Sequence, residues 1–370
     1  MRVADYVIEY LYKKGINKFF TVSGGGSIFL CDALYKNKNV KYISCHHEQA
    51  VAFAAESYSR YSNKLGGAIV TTGPGGTNTI TGVASCWIDS IPVVFISGQV
   101  FLNQTILGTN LRQLGVQEIN IIDLVKPITK YAVMVEDAKK IKYHLDKSIY
   151  LSQENRPGPV WVDIPANIQN AEINKKNFVE FNISNLKNTR KIKKNLNFIN
   201  NVLTLLLKSK KPLFLLGHGV KISNSQLLYK KIIQKYKIPF CVTWNASDVI
   251  ESDNKFYMGR PGAFAERGTN FIVQNCDLII CIGTRLPFMV TGYNSKKFAK
   301  NAKIVMVDID SNELNKPSLR LNIKINSDAK DFGLKLEKKL ANKILNIDND
   351  WLKYCNFLRT KYPITLNEYV

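Results

Sequence analysis

Glu48 is the lone carboxylate of the stretch Tyr42-Ile-Ser-Cys-His-His-Glu-Gln-Ala-Val51, where an apolar segment gives way to a small-residue helix from Ala50 to Arg60. A strand that hands one Glu to the start of a helix sets that carboxylate at the carboxyl edge of a sheet, where open α/β sheets bind ligands. The helix dipole there favours the ionised form. Two glycine clusters occupy matching points: Ser23-Gly24-Gly25-Gly26 and Gly73-Pro-Gly-Gly-Thr-Asn78 each follow a strand-like run and precede a helix. Glycine lets backbone come close to a ligand, and a helix N-terminus offers free N–H groups. The second cluster lacks both the GK[ST] ending of a nucleotide phosphate loop and the GxGxxG spacing of a dinucleotide site. Taken singly, these features read as a helix-start charge and tight turns. Together, the three exits at 23–26, 48 and 73–78 imply one cleft at one sheet edge. His46 and His47 are adjacent, so on a strand they point opposite ways; this argues against a shared metal and for packing or hydrogen bonding.

The elements that must position these residues alternate along the chain. Apolar residues at helical spacing (Val3, Val7, Ile8, Leu11) predict a helix over 3–14, ended by Gly15. A short strand follows at 19–22, then a helix around 28–35, and then the strand that runs to Glu48. A buried strand at 67–72 enters the second glycine cluster, and a helix is expected over 79–89. Further strands read at 92–97 and, after a long connection, at 159–164. Strands alternating with helices at this spacing imply a parallel, doubly wound sheet.

The polar, Asn/Lys-rich stretch 171–194 reads as a linker, with its densest basic run from Lys187 to Lys194. A second unit of the same kind follows over 195–345. A helix at 195–207 leads into a strand that ends in Gly217-His-Gly219, and more strands read at 240–243, 278–283, 304–308 and 323–325, with a helix over 263–274 among the elements between. His218 reads as a turn residue. The expected fold is therefore α/β, two consecutive doubly wound parallel-sheet domains.

With 370 residues there is room for about two domains. The net charge of +22 first suggests nucleic acid. The lysines are dispersed among Asn and Ile, without a stripe or interleaved aromatics, so they read as solvated faces and the expectation is no nucleic-acid role. Seven cysteines, an odd number with no CxxC pair, suit reduced thiols in the cytoplasm. Cys276 and Cys281, placed on one strand-like run, are expected on opposite faces. The start leads straight into an amphipathic helix, and no apolar run reaches the ~18 residues of a membrane span.

Five motifs then fall in register over about 150 residues: His47-Glu-Gln-Ala50, Gly73-Pro-Gly-Gly-Thr-Asn78, Asp89-Ser-Ile-Pro92 with Ile96-Ser-Gly-Gln99, Gln117-Glu118 and Arg156-Pro-Gly-Pro159. Their order and spacing resemble the pyrimidine-binding domain of thiamine-diphosphate enzymes, nearest the acetolactate synthase group. The resemblance implies that residues 1–170 form that domain and that Glu48 and Gln117 are its catalytic residues. Glu48 would hydrogen-bond N1′ of the cofactor's aminopyrimidine and favour the tautomer whose 4′ nitrogen takes the proton from thiazolium C2. A 2-oxo acid could then add and lose carbon dioxide, and the resemblance has Gln117 reach the reacting centre. Gly24, Gly25, Thr72, Gly73 and Asn78 match positions that line the cofactor. Val116 stands where acetolactate synthases carry Phe, and Ser23–Gly26 replaces their Pro–Gly turn, so the substrate pocket is expected to differ.

In the second unit, Gly217, Gly219, Gly283, Arg285 and Asp308 are similar to the central domain of the same family, which binds flavin adenine dinucleotide in acetolactate synthases and ADP or nothing in several relatives. Gly283-Thr-Arg285 runs on into Leu-Pro-Phe-Met rather than an acidic pair, and the three alternatives stay open. The family's third domain holds the diphosphate through Mg²⁺ with a Gly-Asp-Gly and a later Asn. No Gly-Asp-Gly occurs in the sequence, and 346–370 resembles the start of the segment leading to that domain. This chain's own residues are thus expected to supply no metal ligand. The expectation is either one part of a split enzyme, completed by a partner chain, or a truncated, non-catalytic relic that dimerises. In either case it forms a homodimer or higher oligomer, and the isolated chain is inactive.

Overall fold

A computed structural model describes residues 1–186 and 197–365, in two units, Met1–Thr189 and Arg190–Val370.

In the first unit the chain runs α1 (Val3–Lys13), β1 (Lys18–Thr21), α2 (Ile28–Lys36), β2 (Lys41–Ser44), α3 (Glu48–Ser62), β3 (Gly66–Val70), α4 (Pro74–Thr77), α5 (Ile80–Asp89) and β4 (Val93–Gln99). It continues through α6 (Ile121–Val125), β5 (Tyr131–Met134), α7 (Ile141–Gln153), β6 (Val160–Pro165) and α8 (Ala166–Asn170). All strand pairs are parallel, in the order β2-β1-β3-β4-β6-β5. Strands β3, β4 and β6 are buried at every position, as central strands of a doubly covered parallel sheet must be. Alternate residues feed two cores. Ile69, Val94 and Val162 pack with α1, α2 and α7, while Ala68, Phe95 and Trp161 pack with α3 and α5.

Three sequence expectations change here. The strand before Glu48 stops at Ser44 and is exposed along its length, because it is the sheet edge. The long connection contains β5, a short half-buried strand at the opposite edge, together with α6 and α7. The first part of the expected linker belongs to this unit: Val3 N–H donates to Ala171 O (3.0 Å), Ile173 N–H donates to Met1 O (3.0 Å), and the Phe178 ring lies 4.6 Å from that of Tyr6. The basic run Lys187–Lys194, and the helix start expected at 195, lie outside the described residues.

The second unit runs α9 (Asn197–Lys208), β7 (Pro212–Leu216), α10 (Gly219–Ile222), α11 (Gln226–Tyr236), β8 (Phe240–Val242), α12 (Arg267–Asn275), β9 (Leu278–Ile282) and α13 (Phe288–Thr291). It continues with β10 (Lys303–Asp308), α14 (Ser311–Asn315), β11 (Ile323–Asn326), α15 (Ala329–Leu340) and α16 (Asn349–Lys361). Its sheet is also parallel, in the order β11-β10-β9-β7-β8. The helix expected over 263–274 begins at Arg267, after the turn held by Gly262 N–H to Asn270 Oδ1 (2.9 Å). Cys276 precedes β9 instead of lying on it, and it shares one core with Cys241, Cys281 and Cys355, so the expected opposite facing does not hold. The stretch from 346, expected to lead away, folds back as α16. Trp351 is buried with its indole N–H on Pro212 O (3.0 Å), and a Cβ on Gly268 of α12 would lie 2.7 Å from Leu358 O. Among the described residues there is no third sheet, and no helix is long and apolar enough to cross a membrane.

Candidate functional site

The first sheet changes winding direction between β1 and β3: the chain leaves β1 toward β2 and leaves β3 toward β4. The loops after those two strands therefore diverge and open a crevice at the carboxyl edge, the usual ligand position in such sheets. Both glycine clusters lie there. Thr71 is the peg between them. Its Oγ1 accepts from Gly26 N–H (3.0 Å), and a Cβ on Gly24 would lie 2.5 Å from its Cβ. The other side of this turn rests on Gly98, where a Cβ would meet Gly26 O at 2.0 Å, and on Gln169, whose Nε2 donates to Gly26 O (2.6 Å) and Ile164 O (2.7 Å). At Gly25 an added Cβ would meet nothing within 4 Å, so packing within the chain does not demand glycine there.

Glu48 is the first residue of α3, in the positive field of a helix of 15 residues. His47 caps that helix, its Nδ1 accepting from Gln49 N–H (3.1 Å), which is the hydrogen-bonding role rather than the packing role for this histidine. The carboxylate is half-buried. Asn78 Nδ2 donates to Oε2 (2.9 Å), while Oε1 lies 3.8 Å from the position a Cβ would take on Gly75 and has no hydrogen-bond partner among the described residues. The second glycine cluster, expected as a loop, winds into the helical turn α4, and that turn carries Asn78 up to Glu48.

Gln117 arrives from a different part of the chain. Gly73 (φ +59°) is so close to it that a Cβ there would lie 1.9 Å from Gln117 O, and Gln117 itself has φ +59°. Its side chain is exposed. The loop behind it winds around the neighbouring carboxylate: buried Glu118 accepts from the N–H groups of Ile106, Leu114 (3.0 Å) and Gly115 (3.3 Å). Thr72 is buried, and its hydroxyl donates to Gln99 Oε1. Glu48, Gln117, Gly24, Thr72, Gly73 and Asn78 thus form one contiguous cluster around residues 71–78, with exposed Gly25 at its rim. Sequence reasoning missed Thr71, Asp163 and Gln169, and it gave no role to Gln99, which ends one of the five motifs. Asp163 had a readable signal, a carboxylate inside the apolar run Val160-Trp-Val-Asp-Ile164.

In the second unit the winding changes between β7 and β9, and the three glycines singled out there meet. Their N–H groups are committed to backbone carbonyls. Gly217 N–H donates to Ile282 O (2.9 Å), Gly219 N–H to Gly283 O (3.0 Å) and Gly283 N–H to Val307 O (2.9 Å). A Cβ on Gly217 would lie 2.2 Å from Gly283 O, so close loop packing is sufficient reason for these glycines. His218 is a turn residue with Nδ1 at 2.8 Å from Asn245 O. Asp308 is buried, and its Oδ1 accepts from Asp310 N–H (2.9 Å). Arg285 follows one residue after buried Thr284 and is half-exposed. Among the described residues no group of three or more His, Cys, Asp or Glu side chains is placed to hold a metal.

Residues 1–124 match the family model described as thiamine pyrophosphate enzyme, N-terminal TPP binding domain, and residues 199–336 match the one described as thiamine pyrophosphate enzyme, central domain. The acetolactate synthase large subunit of Lactococcus lactis subsp. lactis is 30% identical over 362 residues, covering 98% of this chain and 61% of that protein. The acetolactate synthase isozyme 2 large subunit of Escherichia coli is 31% identical over 369 residues, covering 98% and 62%. A probable acetolactate synthase large subunit of Methanocaldococcus jannaschii is 32% identical over 339 residues, covering 90% and 55%. The chain therefore spans about three fifths of the length of the curated relatives it matches. The two family models fall in order on the two parallel-sheet units and the relatives run through both, so the chain belongs to the thiamine pyrophosphate enzyme family, within its acetolactate synthase-like group.

Proposed function

We propose that this chain supplies the pyrimidine-binding side of a thiamine-diphosphate site in an acetolactate synthase-like enzyme acting on 2-oxo acids. The observation that carries this reading is the Glu48 carboxylate at the switch point, with Oε2 held by Asn78 and Oε1, beside Gly75, without a partner among the described residues. Such an oxygen suits a ring nitrogen that must share a proton, so the residues present fit the aminopyrimidine. When bound, thiamine diphosphate supplies the electron sink for decarboxylation and carboligation. Glu48 Oε1 holds the shared proton, and Asn78 keeps the carboxylate from turning away. Thr72 and the glycines at 24, 25 and 73 would line the cofactor's side of the crevice. Gln117 cannot ionise, so its part at the reacting centre is to orient by hydrogen bonding.

The charged end of the cofactor and its Mg²⁺ belong to a domain or chain beyond the described residues, and the enzyme works as a homodimer or higher oligomer or with a partner chain. For the second unit, the cluster Gly217, Gly219, Gly283, Arg285 and Asp308 leaves a flavin site, an ADP site or no bound nucleotide; a flavin absorbance band in the purified protein marks the first, and its absence leaves the other two. The seven unpaired cysteines support a reducing compartment such as the cytoplasm.

Calorimetric titration with thiamine diphosphate and Mg²⁺ tests the reading. The 370-residue chain should bind weakly and show no decarboxylase or ligase activity alone. In the assembled enzyme Glu48→Gln should abolish proton exchange at the cofactor's C2, and unchanged exchange would refute the assignment.

A further inference from the structure

Beneath the crevice lies a chain of buried side chains in which, with Asp163 ionised, every proton has a determined direction. Trp161 Nε1–H donates to Ser97 Oγ (2.8 Å), so the Ser97 hydroxyl must give its own proton to Asp163 Oδ1 (2.6 Å). Gln99 is oriented by backbone. Val100 N–H can only donate, and it donates to Gln99 Oε1 (3.0 Å), which also receives the Thr72 hydroxyl. The Gln99 amide hydrogens must then point the other way, one to Asp163 Oδ2 (3.1 Å) and one to Ile119 O (3.2 Å). Trp161, Ser97, Asp163, Gln99 and Thr72 are all at most 5% exposed.

We propose that Asp163, acting through Gln99, is the positioning residue for Gln117. This rests on the functional reading above for what Gln117 does, but not for the geometry. Ile119 O is two residues from Gln117, and Thr72 adjoins Gly73, the residue pressed against Gln117 O. One amide group therefore holds both sides of the contact that places Gln117. The ionised carboxylate takes two donors, Ser97 and Gln99, on separate oxygens, whereas an Asn offers one acceptor oxygen. An Asn side chain in place of Asp163 would either set its own NH₂ against that of Gln99 or leave the Ser97 hydroxyl without an acceptor. Turning the Gln99 amide over would set its NH₂ against Val100 N–H. The further charge that acts on Asp163 is Glu118, a second buried carboxylate that already accepts three N–H groups of the same loop.

The test combines two readouts on this chain. In Asp163→Asn, amide exchange at Val100, Leu114 and Gly115 should quicken by about tenfold, with β7 and β9 unchanged. Thiamine diphosphate should bind several-fold more weakly, and this loss should vanish in a Gln117→Ala background, because two changes acting through one group are not additive. Ser97→Ala is the control: it disturbs the same carboxylate and lowers stability, yet should leave the loop exchange and the binding unchanged. If Asp163→Asn does not fold, Gln99→Met asks the same question. Unaltered exchange at 100–119, or additive losses with Gln117→Ala, overturns the proposal. If the unaltered protein binds no thiamine diphosphate, the functional reading fails and the exchange result alone decides the positioning role.

Discussion

The two sheet edges solve one topological problem with different chemistry. In each unit, the loops leaving neighbouring strands pass close to one another at their start, a crossing that glycine allows, before they diverge. In the second unit the crossing is backbone on backbone, Gly217 and Gly219 against Gly283, and it consumes the N–H groups of all three. In the first unit the crossing is glycine against a side chain, Gly24 and Gly26 against Thr71, and again Gly73 against the backbone of Gln117. That arrangement leaves side-chain functional groups at the rim: a carboxylate, the amide that steadies it and an exposed Gln. Glycine at a strand exit therefore marks the crossing, while the residues carried beside it decide which functional groups are left at the rim.

This contrast can be broken most sharply at the glycines themselves. Gly73→Ala adds both a left-handed backbone penalty and overlap with Gln117 O, and Gly217→Ala adds overlap with Gly283 O. Each should lower the stability of its own unit by about 3 kcal/mol, measured by denaturant unfolding. Thiamine diphosphate binding should be lost in the first and kept in the second. Equal loss of binding in both would erase the distinction.

A second difference concerns pH. Burial pushes the Asp163 carboxyl up to about 7 against the hydrogen bonds of Ser97 and Gln99, and the Glu118 carboxylate adds to the rise. Between the ordinary value near 3.8 and 7, the folded state keeps a proton that the unfolded state has released, so this residue makes the first unit less stable as pH rises through that window. Melting followed between pH 4 and 8 should show this decline, and Asp163→Asn should flatten it.

Smaller effects sharpen the same contrast. Asn78→Ala removes one hydrogen bond to Glu48 and should weaken thiamine diphosphate binding by about tenfold or less in titration, leaving the unfolding of the second unit unchanged. Thiol labelling of the native chain should modify Cys31 of the first unit first, with half-buried Cys45, its thiol also pushed up by desolvation, following more slowly. Cys86 and the four cysteines of the second unit, Cys241, Cys276, Cys281 and Cys355, are buried with thiols pushed up by desolvation, and they should react only as their units open.

Much of this architecture is legible in the chain before it folds. Buried strands such as 66–70 and 278–282 are continuous apolar runs, and a glycine cluster follows the first and Gly283 the second. The carboxylate at a strand-to-helix junction needs no tertiary information to be noticed. The edge strand β5 escaped because it is short and half-buried, so it carries no periodic signal. The stretch 171–178 looked like a connector because its composition is polar, and 349–361 because of the resemblance; a few apolar groups, Phe178 in the first and Trp351, Cys355 and Leu358 in the second, decide their packing. Composition averages over a segment, whereas docking depends on one or two side chains.

Local sequence was enough for the parallel α/β class, the three strand exits and the choice of Glu48, because periodicity and residue type are properties of short stretches. Only in the folded chain does Gln117 meet Gly73, Asn78 reach Glu48, and Asp163 lie beneath both through Gln99. The Asn78–Glu48 and Gln99–Asp163 hydrogen bonds join residues 30 and 64 positions apart, a separation over which no spacing rule operates. Strand order brings them together: β1, β3, β4 and β6 stand side by side, and their carboxyl ends become one surface.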